Sequence, residues 1–149
     1  MTCRTRTSLV FLLFLIFMLD ARLGLPQPAS PMLVTTDWLA AHLGDASLVV
    51  LDIGGDSRSY YAGHIPGAEF LALRQIANLN PGGWLELPPV ANLRTALEQA
   101  GVGNHSRIVL YGDYDGLFAA RAYFTLDYLG LGNQTAILDR ADASKFPAV

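Results

Sequence analysis

One cysteine, Cys3, is all the thiol that this 149-residue chain contains. An internal disulfide is therefore impossible, and no cysteine nucleophile or C-x-x-C pair exists beyond residue 3. The serine elbow G-x-S-x-G, the phosphate loop G-x-x-x-x-G-K-[ST] and the zinc motif H-E-x-x-H are absent too, which removes the chemistry that each would carry. Charge is scarce: Asp, Glu, Lys and Arg make up 15% of the residues, and the net charge is −3. A surface of that sign is a poor match for nucleic acid.

What the chain has in quantity is apolar residues, 52% of the total, enough for one domain with a genuine core. Part of that fraction belongs to the N-terminus. Residues 1–8 hold Arg4 and Arg6 and no acid, and Leu9 to Leu19 is an unbroken apolar run closed by Asp20 and Arg22. That is the order of a charged n-region and an h-region. A helix over that run reaches about 16 Å, against a hydrocarbon core of about 30 Å. Residues 1–25 are accordingly expected to be an export signal, placing the protein in the periplasm or outside the cell, with an uncleaved anchor as the alternative. Ala21, Gly24 and Ala29 are candidate cleavage positions, none in a full A-x-A setting. Loss of residues 1–25 leaves seven basic and twelve acidic residues, a net charge of −5, and no thiol. No membrane contact is expected beyond this segment.

Residues 26–31, with Pro26, Pro28 and Pro31, read as an extended linker, and the domain is expected over 32–139. Leu33-Val34 is a short strand candidate, followed by a helix capped by Thr35 or Thr36 and stopped at Gly44. Leu48 to Ile53 is almost continuously apolar, as expected of a parallel strand covered on both faces. Gly63-His64-Ile65-Pro66-Gly67 reads as a rigid turn into a strand at Ala68 to Leu71, and Asn80 to Gly83 as a loop. Pro88-Pro89 suits the first turn of a helix that puts Val90, Leu93, Leu97 and Ala100 on one face. Ile108 to Tyr111 is a second buried strand. A helix marked by Phe118, Ala122, Leu126 and Leu129 ends at Gly130, and Thr135 to Leu138 is the last strand. Alternation of this kind implies an α/β domain: a parallel sheet flanked by helices on both faces, with right-handed crossovers.

Asp52, Arg58, Tyr61 and Gly63-His64-Ile65-Pro66-Gly67-Ala68 resemble the first signature of the rhodanese superfamily. Ile108 to Tyr111, with Gly116 to Phe124, is similar to the strand, loop and helix of the amino-terminal, non-catalytic domain of tandem thiosulfate or 3-mercaptopyruvate sulfurtransferases. The resemblance spans Leu33 to Asp139 and implies a single rhodanese-like domain. Two departures stand out. Gly112 occupies the position where an active rhodanese has its cysteine, in a loop longer than the family's tight cradle, and residues 140–149 replace the family's final helix as a degenerate tail.

Rhodanese chemistry, as the resemblance implies it, needs a thiolate within converging N–H groups at a helix N-terminus. The degenerate loop Gly112, Asp113, Tyr114, Asp115 and Gly116 supplies no nucleophile, and its two acids oppose an anionic persulfide. Asp113 and Asp115 lack a third ligand for a metal. No catalytic residue, cofactor or metal is expected. Asp52, Arg58, Tyr61, Gly63, His64, Pro66 and Gly67 are read as a structural motif, with Asp52 and Arg58 as a buried ion pair in preference to a polar ligand site, and His64 as the residue that fixes the turn. Arg121 is expected at solvent or beside Asp113 or Asp115. Trp38 and Trp84 are read as packing residues. Asn104-His105-Ser106 and Asn133-Gln134-Thr135 fit the glycosylation sequon, which acts only in a glycosylating secretory route.

Three functions follow: a silent rhodanese domain serving as the structural or regulatory half of an exported sulfurtransferase, with a catalytic rhodanese domain as its partner; a fragment of an active sulfurtransferase; or a stand-alone module for a sulfur anion or a protein.

Overall fold

The computed structural model describes residues 31–83, 85–139 and 146. The expected export segment, most of the linker, Trp84 and all of the 140–149 tail except Phe146 lie outside them.

Five strands form one parallel sheet: β1 (Leu33–Thr35), β2 (Leu48–Gly54), β3 (Ala68–Ala72), β6 (Arg107–Gly112) and β7 (Thr135–Asp139), in the order β1-β7-β6-β2-β3. A two-stranded hairpin, β4 (Asn78–Leu79) and β5 (Leu85–Glu86), stands apart. The helices are α1 (Thr36–His42), α2 (Arg58–Ala62), α3 (Leu73–Ile76), α4 (Val90–Gln99) and α5 (Leu117–Tyr128). The expected α/β architecture is present, and the apolar run from Leu48 lies inside the sheet between β6 and β3.

Local chemistry accounts for the element ends. Thr35 caps α1 by accepting the Trp38 amide at 3.2 Å. Pro89 precedes α4 with φ −51°, already in the helical range. Val90 is exposed although it shares the apolar pattern of that helix. Helices α2 and α3 and the hairpin fall in stretches that the periodicity leaves blank, because four or five residues are too few to repeat a helical pattern.

Crossovers to the right and to the left along the sheet place helices on opposite faces. Leu51, Ile53, Ile108 and Leu110 point toward Leu93, Leu97, Ala119, Ala122 and Leu126 of α4 and α5. Val50, Val109, Ala136 and Leu138 point the other way, toward Leu39 of α1 and Ile65. Phe146 is buried in that second core, so the tail beyond Asp139 contributes a side chain to it.

Candidate functional site at the carboxyl ends of β2 and β6

The chain leaves β2 toward β3 and leaves β6 toward β7, in opposite directions across the sheet. Their carboxyl ends therefore flank a switch point, the place where open α/β sheets form a ligand crevice. Asp52 and Tyr111 are register partners there, followed by Ile53 and Gly112.

Side-chain alternation turns Asp52 and Tyr111 to the α1 face. Asp52 is 5% exposed. Burial is the main force on it and raises its pKa, while the Tyr111 hydroxyl contact lowers the cost of its charge, Asp113 raises its pKa further and His64 opposes that rise. The Tyr111 oxygen also accepts the Ile65 amide at 3.2 Å, which ties β6 to the glycine-bounded turn. Burial likewise pushes the Tyr111 phenol up. The ion pair expected between Asp52 and Arg58 does not form. Arg58, with a side chain 90% exposed, bonds Asp56 instead at 2.7 Å, and its donors hold the Asp56 carboxyl down to about 2. The short helix α2 causes this, because it starts at Arg58 and carries that side chain outward.

His64 fixes the turn in a definite way. Its ring stacks on Tyr60 with centroids 3.9 Å apart, and its Nδ1 lies 3.0 Å from the Tyr60 carbonyl. The Tyr60 hydroxyl donates to the Ala68 carbonyl at 3.0 Å, closing the turn around Ile65. Tyr61, named in the same motif, is exposed and meets this network only edge-on, its ring 5.5 Å from that of Tyr60. Gly63 and Gly67 flank the turn, Gly67 with φ +75°.

Gly112 is the decisive position. Its φ is +157°, and a β-carbon placed on it would overlap the Ile53 carbonyl oxygen and lie 2.8 Å from the Ile53 carbonyl carbon. Register pairing runs through Gly112, and the Asp113 amide still reaches the Ile53 carbonyl at 3.3 Å. The backbone of β6 thus lies flat on β2 where a nucleophile would have to leave the strand. Tyr114, Asp115 and Gly116 follow with φ of 58°, 51° and 86°, and α5 then begins without a side-chain cap.

Beside this loop a 690 Å³ cavity is floored by Leu33, Ala119 and Ile137 and rimmed by Asp115 and Asp139. Asp115 and Asp139 are the acidic residues of its lining. Arg121 does not neutralise Asp113 or Asp115: it donates to the Leu85 carbonyl at 3.1 Å and lies over the Phe124 ring. Trp38 packs as expected, between the His42 ring and the Arg107 guanidinium. The role of Tyr111 as partner of Asp52 was not visible in the sequence, since it depends on the register of two strands far apart in the chain.

The sequence profile described as Rhodanese-like domain matches residues 35–141. The chain is 37% identical over 122 residues to a probable 3-mercaptopyruvate sulfurtransferase of Pseudomonas aeruginosa, an alignment covering 74% of this chain and 43% of that protein. It is 34% identical over 100 residues to the sulfur carrier protein TtuD of Thermus thermophilus, over 66% of this chain and 34% of that one. The structure of the 3-mercaptopyruvate sulfurtransferase SseA from Escherichia coli superimposes with a TM-score of 0.59 and 25% identity, covering 73% of this chain and 46% of SseA. The chain therefore spans less than half the length of these relatives.

Proposed function

Since the chain belongs to the rhodanese-like domain family, we propose that it is a member without sulfur-transfer chemistry of its own, the structural or regulatory half of an exported sulfurtransferase. The observation that carries this reading is Gly112. A rhodanese nucleophile at that position would need a side chain, and the Ile53 carbonyl fills the space. The acids at Asp113 and Asp115 add a second obstacle, because negative charge beside a thiol favours its neutral, unreactive form.

The partner on this reading is a second rhodanese domain that carries the cysteine. Support comes from length: this chain matches only 43% of the Pseudomonas relative. The same fact favours the second reading, that the sequence is one part of an active thiosulfate or 3-mercaptopyruvate sulfurtransferase. Export is supported by Arg4, Arg6 and the apolar run from Leu9 to Leu19.

The test uses two preparations, the full chain and the segment of the Pseudomonas relative that it does not match. Alone, the chain is expected to leave thiosulfate and mercaptopyruvate untouched. Mixed with the segment, it should associate and raise the segment's turnover or thermal midpoint. No association and no change would contradict the partner role, and turnover by the chain alone would contradict its silence.

A further inference from the structure

Helix α5 is apolar on the side where a surface helix is polar. Its inner face is Ala119, Ala122, Thr125 and Leu126, all buried, with the Thr125 hydroxyl donating to the Ile76 carbonyl at 3.3 Å. Leu117, Arg121, Phe124 and Tyr128 follow at steps of four, three and four residues, which lines them up as one stripe on the far side of the helix. Leu117, Phe124 and Tyr128 are 63%, 54% and 61% exposed. A helix with one face in water normally carries charged or polar residues there, and a helix that is apolar on both sides is normally covered on both. The hairpin extends the stripe. Arg121 donates to the Leu85 carbonyl at 3.1 Å, which holds β5 beside the helix, and Leu85 pairs in register with Leu79. Both leucines are exposed.

Arg121 sets the chemistry of whatever covers this surface. Its guanidinium lies 5.2 Å from the centre of the Phe124 ring, and its Nε is buried without a hydrogen-bond acceptor. The ion pairs among the described residues are Arg58 with Asp56 and Arg107 with Asp45, so Arg121 has no carboxylate of this chain beside it there. A partner that closes over the stripe removes the water still serving the outer part of the guanidinium. Burying that charge unpaired is strongly unfavourable, whereas a carboxylate set against it forms a charge-assisted hydrogen bond. A purely apolar cover is therefore disfavoured, and one with an acid at its centre fits.

We infer that the outer stripe of α5, with the β4 and β5 hairpin beside it, is the surface on which the second, cysteine-bearing rhodanese domain docks, through an apolar patch with a carboxylate placed against Arg121. The inference rests on the partner reading above and adds the place and the chemistry of the contact. Length favours this occupant. The chain covers 43% of the Pseudomonas relative and 46% of SseA, so each of those proteins has, beyond the matched part, a body large enough to cover a whole helix. The three exposed apolar side chains around one arginine also match the composition of an interface centre, where aromatic residues and arginine act as anchors.

The experiment is a binding titration of the full chain with the segment of the Pseudomonas relative that it does not match, for the wild type and for variants of the stripe, with thermal midpoints taken in parallel to show that each folds. Phe124→Lys and Arg121→Glu should each weaken binding by about tenfold or more, as loss of a central anchor does. Val90→Lys, at an exposed apolar position of α4, should change it by less than about twofold. Should Arg121→Glu disturb the hairpin, Leu117→Lys on the same stripe takes its place. Wild-type binding that survives these changes undiminished overturns the docking surface and leaves the partner reading standing. No binding by the wild type overturns the partner reading and this occupant with it. Self-association that Phe124→Lys dissolves would give the stripe to a second copy of the chain and overturn its assignment to a rhodanese partner.

Discussion

Ile53 and Gly112 are register partners across β2 and β6, and the Ile53 carbonyl oxygen occupies the space that a Gly112 β-carbon would take. The requirement for glycine at 112 thus lies in the backbone path as well as in the side chain. In the chain's own terms, pairing that continues to the end of β6 excludes the geometry in which a side chain could stand free above the sheet.

Gly112→Cys is therefore expected to give neither turnover nor a native-like fold. Overpacking costs about 1–3 kcal/mol and an unfavourable φ about 1–2 more, so Gly112→Ala should lose roughly 2–5 kcal/mol in urea unfolding. A Gly112→Ala variant as stable as the wild type would show that β6 can shift away from Ile53.

Tyr111→Phe should destabilise by about 1–3 kcal/mol. The change leaves the Ile65 amide and the Asp52 carboxyl without their shared hydroxyl. Chemical denaturation at neutral pH measures it, and a loss below a few tenths of a kcal/mol would show that water replaces the phenol without cost.

The Asp52 pKa gives a pH dependence with a definite sign. Its folded value lies above the ordinary aspartate value of 3.8, so the folded state holds the proton more tightly than the unfolded one. The contribution of this group is fully present below the unfolded pKa and is lost as pH rises through the folded pKa. Asp56 works in the opposite sense, lowered to about 2 and therefore favouring the fold above that range; its full exposure keeps its effect small. The stability difference between wild type and Asp52→Asn should shift against the wild type as pH rises above 3.8. A pH-independent difference would refute the assignment.

Leu117, Phe124 and Tyr128 recur on one side of α5 and are more than half exposed. An apolar stripe of that kind on an isolated domain should bind a dye that reports exposed hydrophobic surface. Phe124→Lys should reduce the signal without lowering the thermal midpoint. Equal dye binding in the variant would place the exposed surface elsewhere.

Much of the fold was legible because its long elements carry their periodicity in sequence. The run from Leu48 to Ile53 and the helix from Phe118 to Leu129 needed only the contrast between continuous and helical apolar spacing. Helix α2 was not legible, and the error at Arg58 followed from it: one unforeseen turn of helix moved the guanidinium from Asp52 to Asp56. Gly112 was legible as a glycine after the apolar strand, whereas its close approach to Ile53 depends on strand register, which residues 59 positions apart do not encode locally. The same limit hid Tyr111 behind an ordinary apolar strand.

The most direct measurement is a sulfurtransferase assay on the full chain, free of contaminating enzyme. It would follow thiocyanate formed from thiosulfate and cyanide, and pyruvate formed from mercaptopyruvate. No product above a protein-free blank is expected at any pH, and the same result is expected for Cys3→Ser, since Cys3 lies N-terminal to the matched residues 35–141. Turnover that is saturable in substrate and survives Cys3→Ser would contradict it, because no other thiol exists in the chain.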